Sequence, residues 1–304
     1  MTPIALFAYN RPDHLRRALE SLARCDRLDE CRLHIFCDGA KNPRGAEAVE
    51  ATRRVAREWA PRLNAEVIER EANLGLARSI AGTVTELCDR HGRVIVVEDD
   101  LVVSADFIDY MLQALDRYQD AEDVYQVSGY MFPVAHPEAP DAFLMPLTTT
   151  WGWATWKRAW DAFDWHATGA WKALSSRNAR RKFDLGGAYG YTDILRDRLA
   201  GDNDSWGILW WWSVYRAGGL AVHPRRSLVW VGGFDGSGTH CDDLDTLGQA
   251  AAGERGDRVF ETPIRWPLGM AADLRALGRV TASLKWMKWR RRFRYWLRRC
   301  SISC

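Results

Sequence analysis

The feature that most constrains this chain is an alternation. Over the first 130 residues, short apolar runs take turns with amphipathic helical stretches. "IALFAY" (4–9), "RLHIFCDG" (32–39), "AEVIER" (65–70), "RVIVVEDD" (93–100) and "VYQVSGY" (124–130) read as strands. Between them, "PDHLRRALESLARC" (12–25), "AEAVEATRRVAREWA" (46–60), "GLARSIAGTVTELCDRH" (75–91) and "ADFIDYMLQALDRYQ" (105–119) read as helices. The first has Pro12 early and Leu15, Ala18, Leu19 and Leu22 on one face. The last has Ser104 as its predicted N-cap. Apolar strands joined through helices predict an α/β fold, with a mostly parallel central sheet covered on both faces. In such sheets ligands sit outside the carboxyl ends of the strands. Asp38 and the run Glu98–Asp99–Asp100 both fall at such ends.

At 304 residues, 47 % apolar and 27 % charged, the chain has room for a large core in one large domain or two small ones. Its texture changes after residue 140. "LTTTWGWATWKRAWDAFDW" opens a segment that holds most of the sixteen Trp. A helix at about 189–200 precedes "GDNDSWGILWWWSVYRAGG". Strands "LAVHP" and "SLVWV" follow, then a Gly-rich loop (232–241) and a weakly patterned stretch to about residue 278. The seven Cys are scattered without zinc spacing, and the start "MTPIALFAYNRP" lacks a basic signal-peptide region. The expectation is a cytoplasmic protein with reduced thiols.

Why would a buried strand end in three adjacent carboxylates? Their mutual repulsion calls for compensation. A hard divalent cation, Mn²⁺ or Mg²⁺, would supply it, with substrate phosphates completing the shell. An acidic turn facing the positive end of the next helix is the other reading. The first strand is followed by "NRPDH", so no G-x-G-x-x-G dinucleotide motif stands there, and no G-x-x-x-x-G-K-[ST] or G-x-S-x-G occurs.

Several pieces together resemble GT-A glycosyltransferases, of the inverting type related to family 2 enzymes and the N-acetylglucosaminyltransferase I group. They are "PIALFAYNRPDHLRRALESL", "CDG" (37–39), "NLGLARSI" (73–80), "VIVVEDDLVVSADFIDYM" (94–111) and "WGWATWKRAW" (151–160), spread over about residues 3 to 240. The resemblance implies a GT-A catalytic domain over 1–245. Its nucleotide-sugar half would be 1–130 and its acceptor half 131–245, followed by a variable segment (246–283) and a tail (284–304). It also implies a nucleotide-sugar donor, UDP by preference, and a divalent metal. Glu98–Asp99–Asp100 would take the Asp-x-Asp role, with Asp100 on the metal and Glu98 and Asp99 toward ribose or sugar. Asp38 would bind the base, and Ala8, Tyr9, Arg11 and Asn73 would line the nucleotide pocket.

An inverting transfer needs a general base for the acceptor hydroxyl. "GDNDSW" offers Asp202 and Asp204, and the acid-before-Trp pattern of the related enzymes points to Asp204. The neighbouring pair of acids in those enzymes is replaced here by Asp–Asn–Asp–Ser, and an N-cap role is the other reading of either Asp. His240, after "DGSGT", is the candidate second metal ligand. Trp151, Trp153 and Trp156 are candidate sugar platforms, since an indole face takes an apolar sugar face while Nε1–H donates. The run Trp210–Trp211–Trp212 is expected to divide between core and surface, because consecutive helical residues point in different directions.

Net charge is +2, but residues 285–299 hold eight Lys/Arg, so the rest of the chain is net −6. In "LKWMKWRRRFRYWLRR" (284–299), Trp286, Trp289, Phe293, Trp296 and Leu297 fall on one helical stripe. That pattern suits an anionic membrane surface, with the acidic body speaking against nucleic acid. The expectation is therefore a peripheral enzyme on the inner face of the plasma membrane, acting on a glycan or lipid-linked glycan. The alternatives are a nucleotide-sugar hydrolase or nucleotidyltransferase using the same carboxylates, and a non-catalytic carbohydrate-binding module.

Overall fold

A computed structural model describes residues 1–136, 140–232, 257–261 and 263–300, the last eleven of these as helical backbone only. The first half follows the predicted alternation. Strands β1 (Thr2–Ala8), β2 (Cys31–Cys37), β3 (Glu66–Glu69) and β4 (Arg93–Glu98) alternate with helices α1 (Pro12–Leu22), α2 (Ala46–Trp59) and α3 (Leu76–His91). All seven residues of β1 are buried, as expected for a central strand covered on both faces. Then come β5 (Leu101–Val103), α4 (Phe107–Arg117), β6 (Val124–Ser128), β7 (Ala142–Met145) and β8 (Trp153–Trp156). Helices α5 (Lys157–Trp160), α6 (Ala170–Ala173), α7 (Arg177–Phe183), α8 (Tyr191–Ala200) and α9 (Gly207–Arg216) follow, then β9 (Leu220–Pro224), β10 (Val229–Val231) and α10 (Leu274–Cys300).

One eight-stranded sheet runs β3-β2-β1-β4-β8-β6-β9-β7, and β10 pairs with β5 beside it. The architecture is mixed α/β with a mostly parallel central sheet flanked by helices. Strands β3, β2, β1 and β4 are mutually parallel, as are β6 and β9. Two strands depart from the parallel expectation: β8 runs antiparallel between β4 and β6, and β7 closes the edge antiparallel to β9. Residues from both halves of the predicted 1–245 unit therefore share one sheet. No helix among the described residues is long and apolar enough to cross a membrane.

The position of β8 corrects the reading of its tryptophans. Trp153 and Trp156, three apart on a strand covered on both faces, are both buried (0 % and 3 % exposed). Trp153 stacks on Trp206 (5.3 Å) in a cluster with Trp160 and Trp210, while Trp156 Nε1 donates to the Leu115 carbonyl (3.0 Å) in α4. Neither is a sugar platform. Trp210, Trp211 and Trp212 are likewise all buried, with no division between core and surface. Helix α9 is enclosed on several sides, and Trp210 Nε1 is satisfied by Gln126 Oε1 (2.6 Å).

The cap of α4 is also corrected. Asp106, not Ser104, stands at the N-cap position, and the Ser104 hydroxyl donates to Asp106 Oδ1 (2.6 Å). Asp106 Oδ2 accepts the N–H groups of Val259 and Phe260 (2.8 and 2.7 Å), so this buried acid clamps a late segment onto the core.

Candidate active site at the carboxyl rim of the sheet

Register builds the site. Phe7 pairs with Phe36 on one side and Glu98 on the other, and Ala8 pairs with Cys37. Strands β1, β2 and β4 therefore end level, and the residues just past them, Tyr9, Asp38 and Asp99, emerge on one rim. Backbone bonds carry the alignment onward: Asp38 N–H to the Ala8 carbonyl (3.0 Å) and Asp99 N–H to the Phe7 carbonyl (2.9 Å). The Tyr9 N–H donates to Asp99 Oδ2 (3.2 Å), and Arg11, at the N-cap of α1, pairs with Asp100 Oδ2 (3.0 Å).

The electrostatics of the triplet follow from crowding. Burial, then Asp100, pushes the Asp99 carboxyl up to about 7, against the pull of Arg11 and the Tyr9 N–H. Burial and the neighbouring Asp100 and Asp99 hold Glu98 well above the usual carboxylate range. Burial opposes the charge on Arg11, but Asp99, Asp100 and Glu98 outweigh it and raise its pKa. One guanidinium thus faces three crowded carboxyl groups, and the raised pKa values of Glu98 and Asp99 express a repulsion that a bound cation would relieve. No group of three or more His, Cys, Asp or Glu converges as a metal nest among the described residues. The triplet suits a Mg²⁺- or Mn²⁺-type ion held by one or two carboxylates, with substrate oxygens supplying the rest.

Asp38 does different work in this structure. Its Oδ1 accepts the N–H groups of Gly39 and Leu74, and its Oδ2 those of Leu74 and Gly75, all at 3.0–3.2 Å. Three backbone N–H groups thus hold both carboxylate oxygens, Leu74 shared between them: two come from the loop that enters α3 and one from Gly39. Asn73 Nδ2 fastens the same loop to the Gly39 carbonyl (2.8 Å). Gly39 permits the closure, because a Cβ there would stand 2.5 Å from the Ala72 carbonyl carbon. Gly39→Ala is expected to destabilise the fold by about 1–3 kcal/mol, since backbone cannot move aside cheaply. Urea unfolding checks this, as a lowered midpoint with unchanged m value.

Asp202 and Asp204 are both exposed, in the loop between α8 and α9. Neither caps α9, whose N-cap is Trp206, and the Ser205 N–H is accepted by Asn203 Oδ1 (3.0 Å). This loop borders a cavity of about 190 Å³, lined among others by Tyr130, Thr149, Trp151, Tyr189, Ser205 and Trp211. Two polar atoms of its lining, Thr149 Oγ1 and Trp211 Nε1, are buried without a hydrogen-bond partner. The β4–β8 ladder ends at the Val96–Trp153 pair, and the chain enters β8 through Trp151, which lines the cavity, whereas Glu98, Asp99 and Asp100 do not. Of the three candidate platforms, Trp151 alone is partly exposed, edge-on to Tyr130 at 4.8 Å.

His240 lies outside the described residues. The segment that carries it leaves the described chain at Gly232, whose N–H donates to the Asp100 carbonyl (2.7 Å). His14, which the sequence reading passed over, stands at this junction: a Cβ on Gly232 would lie 3.3 Å from its Nδ1. Its spacing of three from Arg11 along α1 is the signal that would have found it.

No protein-family model matches the chain, and no curated protein does. Among solved structures, S. aureus TarS (residues 1–349) is similar over 52 % of this chain and 47 % of that one, at 14 % identity and a TM-score of 0.38. A second S. aureus TarS structure matches over 52 % of this chain and 28 % of its own, at 14 % identity and a TM-score of 0.36. Mouse xyloside xylosyltransferase 1, in its apo form, matches over 62 % of this chain and 76 % of that one, at 12 % identity and a TM-score of 0.35. The chain spans about half or less of the length of the TarS chains. Likeness at this level assigns no family.

Proposed function

We propose that this chain is a metal-dependent glycosyltransferase of the GT-A type. It would move a sugar from a nucleotide diphosphate donor, UDP by preference, to a hydroxyl of a glycan or lipid-linked glycan, with inversion. The observation that carries the reading is a juxtaposition. Three acids and Arg11 are crowded where β1 and β4 end level, and the strand β8 that pairs with β4 is entered through Trp151, in the wall of a cavity of aromatic rings and hydroxyls.

Asp100, with Glu98 or Asp99, would hold the cation, and His240 is the proposed further ligand. The bound ion would neutralise diphosphate charge as the leaving group departs. Arg11 would reach the same phosphates from the start of α1. Ala8, Tyr9 and Asn73 would line the nucleotide pocket, Asn73 through its bond to the Gly39 carbonyl. Asp38 would touch a base only by giving up one of its loop contacts, so its proposed part is to fix the loop against which the base lies. In the cavity, Trp151 would offer a ring face to the acceptor, with Thr149 and Trp211 in the same wall. Asp204 is the proposed general base, with Asp202 the alternative in the same loop; each would take the proton of the attacking hydroxyl.

The test is thermal unfolding of the full chain with UDP-sugars, with and without Mn²⁺. A ligand at 100 times its Kd adds about 2.7 kcal/mol of stability, so a rise in Tm of several degrees that requires both components is expected. Stabilisation by free oligosaccharides alone, with indifference to nucleotide and metal, would instead identify a carbohydrate-binding module.

A further inference from the structure

Helix α10 changes its apolar face part-way along. In its first half Ala276, Val280 and Leu284 are buried, and Leu277 and Met287 pack partly buried against the core. At about 100° per residue these five occupy one side of the helix. Trp286 and Trp289 lie on the opposite side, 54 % and 60 % exposed. Phe293, Trp296 and Leu297 continue the register of that outer stripe, whereas Arg291, Arg294 and Arg298 fall at the register positions that Ala276 to Met287 use for docking. Trp286 and Trp289 therefore stand on the side of the helix opposite the one that Ala276, Val280 and Leu284 bury.

A second element stands beside it. Lys288 Nζ donates to the Gly187 carbonyl (3.5 Å), and a Cβ on Gly186 would lie 3.8 Å from Lys285 Nζ. The turn at Gly186 is tied to the end of α7 by its N–H bond to the Arg181 carbonyl (2.7 Å). Helix α7, "RNARRKF", exposes Arg177, Arg181 and Lys182. Arg180 Nη1 bonds the carbonyls of Leu174 and Ser175 (2.8 and 2.7 Å), joining the end of α6 to the same unit. The exposed aromatic side chains among the described residues are Trp171, Tyr189, Trp286 and Trp289, and all four belong to these segments.

We propose that α10, together with the α6–α7 unit and the turn after it, forms a docking face for an anionic lipid bilayer. Charge complementarity selects the occupant. Clustered Lys and Arg meet anionic headgroups, and indoles and a phenol settle at headgroup depth with their polar atoms hydrated. Single-stranded nucleic acid also stacks on exposed rings, but a body of net −6 outside the tail disfavours a long polyanion running beyond this face. Tyr189 belongs both to this face and to the cavity lining, so bilayer docking would set the cavity beside the membrane surface. The proposal does not depend on the chemistry at the triplet.

The experiment is co-sedimentation of the full chain with vesicles of phosphatidylcholine alone, and of phosphatidylcholine containing about one third phosphatidylglycerol. Binding is expected to the anionic vesicles only, and to fall as salt rises. The double variant Trp286→Ser/Trp289→Ser is expected to partition about 10-fold less, and Arg181→Glu/Lys182→Glu about 3-fold less or lower still. Both pairs are exposed, so each variant should keep the wild-type circular dichroism and Tm. Equal partition of the folded Trp variant, or binding that ignores lipid charge, would overturn the proposal. So would a single-stranded oligonucleotide that displaces the protein from the vesicles at physiological salt.

Discussion

Asp100→Asn is expected to lower kcat/KM for sugar transfer by about three orders of magnitude, and to abolish the Mn²⁺-dependent part of the stabilisation by UDP. The substitution keeps the shape of the side chain and removes its charge. Asp100 is the acid of the triplet paired directly with Arg11, its side chain 17 % exposed, and its carbonyl holds Gly232 where the segment bearing His240 departs. An amide leaves the Gly232 contact in place, because that bond is made by the backbone. Arg11 keeps Asp99 and Glu98 as neighbours, so it is not left as an isolated buried charge. The fold should therefore survive, with Tm within a few degrees of wild type. The loss should concentrate where a full carboxylate is needed, at the cation and the diphosphate. Initial-rate kinetics over a range of Mn²⁺ concentrations make the check. Near wild-type transfer at saturating Mn²⁺ would remove Asp100 from the machinery, and with it the assignment of the triplet.

The strand ends were the most legible part of the site. Apolar runs stopping at "FAY", "FCDG" and "VVEDD" announced three carboxyl termini, and an α/β alternation has few ways to arrange them other than side by side. The level register of Phe7, Phe36 and Glu98 then brings Tyr9, Asp38 and Asp99 together. What lay beyond the sequence were facts set by non-local pairing. Nothing in "WGWATW" says that the strand inserts antiparallel between β4 and β6, yet that insertion buries Trp153 and Trp156 and leaves Trp151 at the rim. Asp38 reads as a turn residue or as a base ligand, and only the approach of residues 72–75 shows its oxygens filled by backbone N–H groups. Asp106 shows the same limit: its partners Val259 and Phe260 lie some 150 positions away, and local propensity favours the neighbouring Ser104 as cap. For α10, the stripe Trp286–Trp289 was visible in the sequence, but that the helix docks by its other side was not.

A second large effect concerns stability, and its sign runs opposite to the first. In the absence of divalent cations, Asp99→Asn is expected to be more stable than wild type at pH 8, and by a margin about one third as large at pH 5. Asp99 is 8 % exposed, and its carboxyl is pushed up to about 7 by burial and by Asp100. In the unfolded chain the same group titrates near about 3.9. The folded state therefore binds this proton more tightly. What the residue contributes to stability is fullest below about pH 4, declines as pH rises through 7, and levels off above it. A separation of three units corresponds to on the order of 4 kcal/mol. Because Glu98 and Asp100 share the same potential, and an amide keeps part of the desolvation penalty, about 1–3 kcal/mol is the expected gain at pH 8. Urea unfolding at pH 5 and pH 8 in the presence of a chelator reads the difference, and a variant less stable than wild type at both values would refute the account. With Mn²⁺ and UDP added, the order should reverse, since a cation attracted by three crowded acids binds the full set more tightly than the set without Asp99, and so stabilises wild type more. A cluster that weakens the empty fold and strengthens the loaded one is what a binding site for a cation and a diphosphate requires. A solvated acidic turn would show neither effect, so the crossing of the two stability curves separates the two readings of "VEDD" without any assay of transfer.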